Sequence, residues 1–208
     1  MASTQFYLFD SSARSCLGEI SGAADRDCRL RQARLAEGRR LGSIDWPIDI
    51  HFSRQSWSEA QRLDIVTTSA PFPVISKKLA DFLITECPDC VELFPIRAIV
   101  GSEAACECHF LALNMTRLIN VIDLEASDYV WVPSLLDPSE TVILTFRTIV
   151  QLPKLGNVPP LFREHSYSQY ALMSGELKKK CQSAKFKIHF LSLDQMARPG
   201  LRDIEWTP

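Results

Sequence analysis

The chain has 208 residues, 46% of them apolar and 23% charged, with a formal charge of −2 and a pI near 6.1. That length suffices for one large or two small cores, and the composition argues against a mainly disordered chain. Without an overall positive field the chain is not expected to bind nucleic acid in general, and any basic patch has to be local.

The first ten residues carry no basic stretch and only a short apolar run, Phe6 to Phe9, so no signal peptide is expected. Nowhere does the sequence approach the roughly 20 apolar residues of a membrane span, and no membrane partner is expected. Seven cysteines, an odd number without a secretory signal, fit reduced thiols in a cytoplasmic protein better than a disulfide framework.

In chain order, Phe6 to Phe9 reads as a first strand and Asp10 to Gly22 as a polar loop. Asp25 to Gly42 is charged and holds six arginines, at 26, 29, 31, 34, 39 and 40, and reads as a weak helix or ordered arm. Interleaved Asp25, Asp27 and Glu37, and the lack of aromatic residues on which bases could stack, favour a solvated face or internal ion pairs over phosphate contacts. Ile48 to Phe52 and Leu63 to Val66 suggest short strands, with Trp46 and Trp57 as packing anchors.

Ser76 to Glu86 predicts a helix with Leu79, Phe82 and Leu83 on one face, ended by Pro88. Val91 to Ile99 alternates as a strand in which Pro95 predicts an edge position or a bulge. His109 to Asn114, Leu118 to Leu124 and Thr141 to Leu152 follow as three strands in what reads as a meander. After a proline-rich loop closing with Phe162-Arg-Glu-His-Ser-Tyr, Ser174 to Ala184 predicts a second helix and Lys187 to Leu193 a closing strand. Ala197 to Pro208 reads as a tail.

Two of these stretches repeat one pattern. Pro73-Val-Ile-Ser-Lys-Lys-Leu followed by Val91-Glu-Leu-Phe-Pro-Ile is matched by Tyr170-Ala-Leu-Met-Ser-Gly-Glu-Leu followed by Phe186-Lys-Ile-His-Phe. Each has an extended apolar lead, a Ser that can cap a helix, a Leu three residues later, one short helix and a strand. The prediction is an α+β fold, a mainly antiparallel sheet with two or three helices on one face and a repeated helix-strand module. Residues 1–63 read as an N-terminal region of strand, arm and short strands, 64–193 as the main domain and 194–208 as the tail.

For chemistry, the sharpest constellation is Cys87, Cys90, Cys106, Cys108 and His109, since closely spaced thiolates can satisfy tetrahedral zinc. Against it, C-x-C is poor geometry for a zinc knuckle, Cys106 and Cys108 stand at a strand start, where neighbours point to opposite faces, and Cys87-Pro-Asp-Cys90 follows a helix instead of opening one. The four histidines are scattered, and G-x-S-x-G, H-E-x-x-H and Gly-rich phosphate motifs are missing. No catalytic residue, metal or cofactor is expected. The acidic stretch Asp123-Leu-Glu-Ala-Ser-Asp128, with Asp137 and Glu140, reads either as a solvated turn or as a surface for a basic partner.

The order Phe72-Pro-Val-Ile-Ser-x-x-Leu, Val91-Glu-Leu-Phe-Pro-Ile, Leu113-Asn114, Val121-Ile-Asp123 with Ser127 and Tyr129, Leu161-Phe-Arg163 and the second Ser-x-x-Leu resembles the immunity proteins of bacterial polymorphic toxin systems, in their myxobacterial-type group. It covers about residues 64 to 193. The resemblance implies a small cytoplasmic protein that binds and neutralises one cognate toxin by occlusion, without catalysis. It also implies that Ser76, Asn114, Asp123, Phe162, Arg163 and Ser174 are fold determinants. Asp123, Glu125 and Asp128 are the candidate partner-binding residues. The alternative reading is a metal-binding or thiol-dependent enzyme or regulator using the cysteine group.

Overall fold

Alternation of apolar residues along short strands, interrupted by two amphipathic helices, gives an α+β fold in the computed structural model, which describes residues 5–11, 16–22, 32–44, 47–105, 108–133 and 139–198. With strands numbered in chain order, the first sheet runs β2 (Gly18–Ile20), β3 (Ile48–Phe52), β6 (Val91–Val100), β8 (Phe110–Met115), β5 (Val74–Ser76) and β4 (Ile65–Val66), with β7 (Glu103–Ala104) paired to β6. The second runs β14 (Ile188–Ser192), β1 (Phe6–Ser11), β13 (Ala171–Ser174), β12 (Leu161–Glu164) and β9 (Leu118–Ile119). A separate two-stranded ribbon joins β10 (Asp128–Pro133) to β11 (Thr141–Thr148). The β3–β6 and β12–β9 pairs are parallel, and the other named pairs are antiparallel.

The sequence repeat is a structural one. Of the four α-helices that lie wholly within the described residues, α1 (Arg54–Ala60), α2 (Lys77–Glu86), α3 (Gly175–Ser183) and α4 (Leu193–Met196), the two longest are the repeated pair. Ser76 caps α2 by accepting the Leu79 N–H at 3.2 Å, and Ser174 caps α3 by accepting the Leu177 N–H at the same 3.2 Å. Four residues after each capping-turn leucine stands a second buried side chain, Leu83 or Cys181. Each helix joins two parallel strands with an antiparallel strand between them, β8 between β5 and β6, and β1 between β13 and β14. Each unit also begins with an antiparallel hairpin, β4–β5 or β12–β13.

Both long helices and the facing sides of both sheets close over one core that includes Leu79, Leu83, Leu113, Met173, Leu177 and Cys181. Burying each large apolar side chain contributes roughly 1.5–3 kcal/mol. The helices are tied to each other's half by Phe82 against Phe186, ring centroids 5.0 Å apart, and by a 2.7 Å pair between Lys180 and Glu86. The opposite side of the first sheet packs around Ile48, Ile50, Phe94 and Ala112, and that of the second around Phe6, Phe162 and Leu172.

Several local expectations change. The loop expected over Asp10 to Gly22 contains the end of β1 and all of β2, where Gly18 is required by close approach: a Cβ there would stand 2.7 Å from Phe52 and 2.8 Å from Ile50. Helix α1 was not legible, because its inward face is only Ala60 and the part-buried Trp57. Pro95 lies neither at a sheet edge nor in a bulge; β6 pairs with β8 up to Pro95 and with β3 from Ile96, so the missing N–H falls where the strand changes partner. The series read as a meander is divided, β8 entering the first sheet, β9 the second and β11 the ribbon, and only Leu118–Ile119 of the strand expected over Leu118 to Leu124 forms. Leu161–Glu164, expected in a loop, is strand β12. Trp46, residues 25–31 of the arginine-rich arm and residues 199–208 lie outside the described residues.

The two caps differ in one respect. The Ser76 hydroxyl also donates to Asp64 Oδ1 at 3.0 Å, a bond for which Ser174 has no counterpart. Ser174→Ala is expected to cost about 1 kcal/mol and Ser76→Ala about 1 kcal/mol more, read from urea unfolding midpoints. Equal losses would separate the Asp64 bond from stability.

Candidate partner-binding surface

Asp123, Glu125 and Asp128 lie on one short turn that leads into β10 at the base of the ribbon. Asp123 is half-buried, and its Oδ1 accepts the N–H groups of Glu125 and Ala126, both at 3.1 Å, so the carboxylate closes the turn. Asp128 is exposed but paired with Arg147 at 3.3 Å. Glu125 is exposed and projects from the turn. Glu140 stands at the opposite end of the ribbon, where Pro133 pairs with Thr141, and Asp137 lies outside the described residues. The acidic residues grouped in sequence therefore divide into a turn-closing carboxylate, an ion-paired one and a free-standing Glu125, with Glu140 remote from all three.

Among the described residues most of the large exposed apolar side chains lie on or just beyond the ribbon next to this turn, the other being Ile84 on α2. Trp131 is 49% exposed, Val142 43% and Leu144 42%, and Val150 just beyond β11 is 39% exposed. Trp131 pairs in register with the buried Ile143, whereas Val142 and Leu144 alternate with Ile143 and point to the other face. At its base the ribbon is anchored by Tyr129, which meets Phe146 edge to face at 5.8 Å, and by Phe146 against Tyr167 at 5.9 Å. Tyr167 also donates its hydroxyl proton to the Leu144 carbonyl at 3.0 Å. Trp131 continues the ring series outward, 5.0 Å from Tyr129. A two-stranded ribbon held at one end, with apolar side chains on both faces, can enter a groove of another protein and leave charged groups at its rim.

Sequence reading missed Trp131 and its neighbours. The signal was present in Tyr129-Val-Trp-Val and Thr141-Val-Ile-Leu, strands apolar at successive positions. That pattern ordinarily marks a strand buried on both faces, whereas here Ile143 and Phe146 are buried with Phe6, Phe162 and Leu172 of the second sheet while Trp131, Val142 and Leu144 stay exposed.

The cysteine group does not converge. Cys87 and Cys90 are buried in the core beneath α2, together with Cys181, whereas Cys108 packs against the core on the opposite side of the first sheet; Cys106 lies outside the described residues. The first sheet lies between them, with Cys87 and Cys90 on the side that faces the long helices and Cys108 on the other. Among the described residues no three His, Cys, Asp or Glu side chains gather as a metal site. Cys87 Sγ donates to the Leu83 carbonyl at 3.2 Å. Its hydrogen bond with Cys90, reinforced by burial, pushes the Cys87 thiol far above the ordinary range, and burial pushes Cys181 up to about 12. In the arginine-rich arm, Arg39 pairs with Glu37 at 2.6 Å and Arg40 with Asp89 at 3.7 Å.

Cys16, by contrast, is exposed. A thiol reagent applied to the native protein is expected to modify Cys16 quickly and to reach Cys87, Cys90 and Cys181 only after denaturant is added, as read by peptide mass mapping; a chelator is expected to leave the melting temperature unchanged. Rapid native labelling at Cys87, or loss of one zinc per chain together with the fold, would contradict this placement. No helix among the described residues is long and apolar enough to cross a membrane. A comparison of the chain with protein-family models finds no match, and a comparison with curated proteins finds none either.

Proposed function

We propose that this chain is a cytoplasmic immunity protein that binds one cognate bacterial toxin and neutralises it by occlusion, without chemistry of its own. The observation that carries the reading is the ribbon: half-exposed Trp131 with Val142 and Leu144, anchored at one end and rimmed by Glu125 and Glu140. Such an arrangement has the composition of an interface centre, with an aromatic and aliphatic middle and a charged edge. The motif order from Phe72 to the second Ser-x-x-Leu supports the class of partner, and the acidic turn suits a toxin surface with basic residues. An interface of standard size, about 1,600 Å² in total, holds such a pair by burial and complementarity alone.

The two contributions separate experimentally. Trp131→Ala is expected to weaken the complex with the toxin encoded beside this gene by about 2 kcal/mol, roughly 30-fold in Kd, while changing the stability of the free protein by less than about 1 kcal/mol. Reversing Glu125 and Asp128 to Lys is expected chiefly to slow association and to reduce its salt dependence. Calorimetry and stopped-flow mixing with the purified toxin domain measure both. Undiminished affinity and undiminished protection of cells by Trp131→Ala would remove the ribbon from the interface.

A further inference from the structure

A cleft of about 580 Å³ opens between the β4–β5 connection and the β12–β13 connection, the equivalent hairpin turns of the two repeated units. Its wall includes two guanidinium groups, Arg163 and Arg198, and no carboxylate. Arg163 is 1% exposed, yet among the described residues no carboxylate lies within 4.0 Å of it. It donates from Nη1 to the Ser168 carbonyl at 2.6 Å and from Nη2 to the Leu35 carbonyl at 3.3 Å, and its Nε–H has no partner. The neighbouring Glu164 does not answer it, since its carboxylate accepts the N–H groups of Tyr167 at 2.7 Å and Val121 at 3.3 Å.

A buried cation held only by carbonyl dipoles is a costly arrangement that a counter-ion relieves. Burial pulls the Arg163 guanidinium from its usual value down to about 10, the direction expected of a charge lacking its partner. The hydroxyls around the cleft are set as donors as well. Thr68 Oγ1 accepts the Ala70 N–H at 3.2 Å and Ser69 Oγ accepts the Ile20 N–H at 2.9 Å, which leaves each hydroxyl proton for a further acceptor. Between these polar groups the wall is apolar, with Leu8, Ile65 and Phe72. Volumes of a few hundred Å³, mostly apolar with a few convergent polar groups, are those of small-molecule sites.

We propose that this cleft is a binding site for a small organic oxyanion, a carboxylate or phosphate monoester carried on a compact apolar body, with Arg163 and Arg198 meeting the charge and Leu8, Ile65 and Phe72 the body. The site adjoins the base of the ribbon through Tyr167 and Tyr170 but includes none of its exposed apolar residues, and it does not rest on the toxin-binding reading.

Titration calorimetry of the full chain with benzoate, phenyl phosphate and neutral benzamide tests it. Benzoate or phenyl phosphate is expected to bind saturably in the millimolar range or below, with the stronger of the two identifying the headgroup, and benzamide is expected not to bind. Arg198→Gln, at an exposed position, is expected to weaken binding at least about tenfold, the loss of one charge-assisted contact. Arg163→Lys is expected to do the same with the fold retained, because the charge stays while the planar donor geometry is lost. If Arg163→Lys fails to fold, Arg198→Gln alone decides. Absence of saturable binding by both anions, equal binding of benzamide, or binding unaffected by Arg198→Gln would each overturn the proposal.

Discussion

In both halves of this molecule a helix carries the chain from one strand to a parallel strand two places away, and the gap between them has to be filled. Two strands of a sheet separated by one vacancy stand about 10 Å apart, with unpaired N–H and C=O groups facing each other. The first half fills its vacancy with β8, the strand that follows, and the second with β1, the strand that begins the chain. The second unit is thus incomplete until the N-terminal segment is inserted. Residues 1–63 accordingly supply both sheets, β1 to the second and β2 and β3 to the first.

Because the two units turn their helices toward one common core, the seam between them is where irregular connections meet. Connections lack ladder partners, and their backbone groups have to be satisfied otherwise. Carboxylates do this repeatedly. Glu92 accepts the N–H groups of Leu41 at 2.8 Å and Gly42 at 3.0 Å, Asp64 that of Lys187 at 2.7 Å, and Asp123 those of its own turn. Asn114 adds a bond to the Arg39 carbonyl at 2.8 Å and another to Glu92 at 2.9 Å. Several acidic residues are in this way drawn into the framework.

The ribbon is the counterpart of this internal economy. Among the described residues its two strands pair only with each other, and Trp131, Val142 and Leu144 are left exposed. Register shifts on either side of Tyr129 and Val130 add twist to the pair where it leaves the aromatic anchor. A rigid base and an uncovered apolar end together favour a binding element that needs little reordering when a partner arrives.

Local chemistry along the chain determined the repeated helices, their serine caps, the strands at Phe6, Ile48, Val91 and Ile188, and hence the α+β class. These features depend on contacts a few residues apart, and spacing in the sequence reports such contacts directly. Which strands become neighbours was decided by the tertiary structure, as was the use of Asp123 to close a turn, the placing of Cys108 across a sheet from Cys87, and the isolation of Arg163 from any described carboxylate. An apolar strand such as Thr141 to Thr148 has the same composition whether a second sheet lies over it or not. Its exposure depends on which segments from elsewhere in the chain pack over it, and the linear order of the chain does not record that arrangement in space.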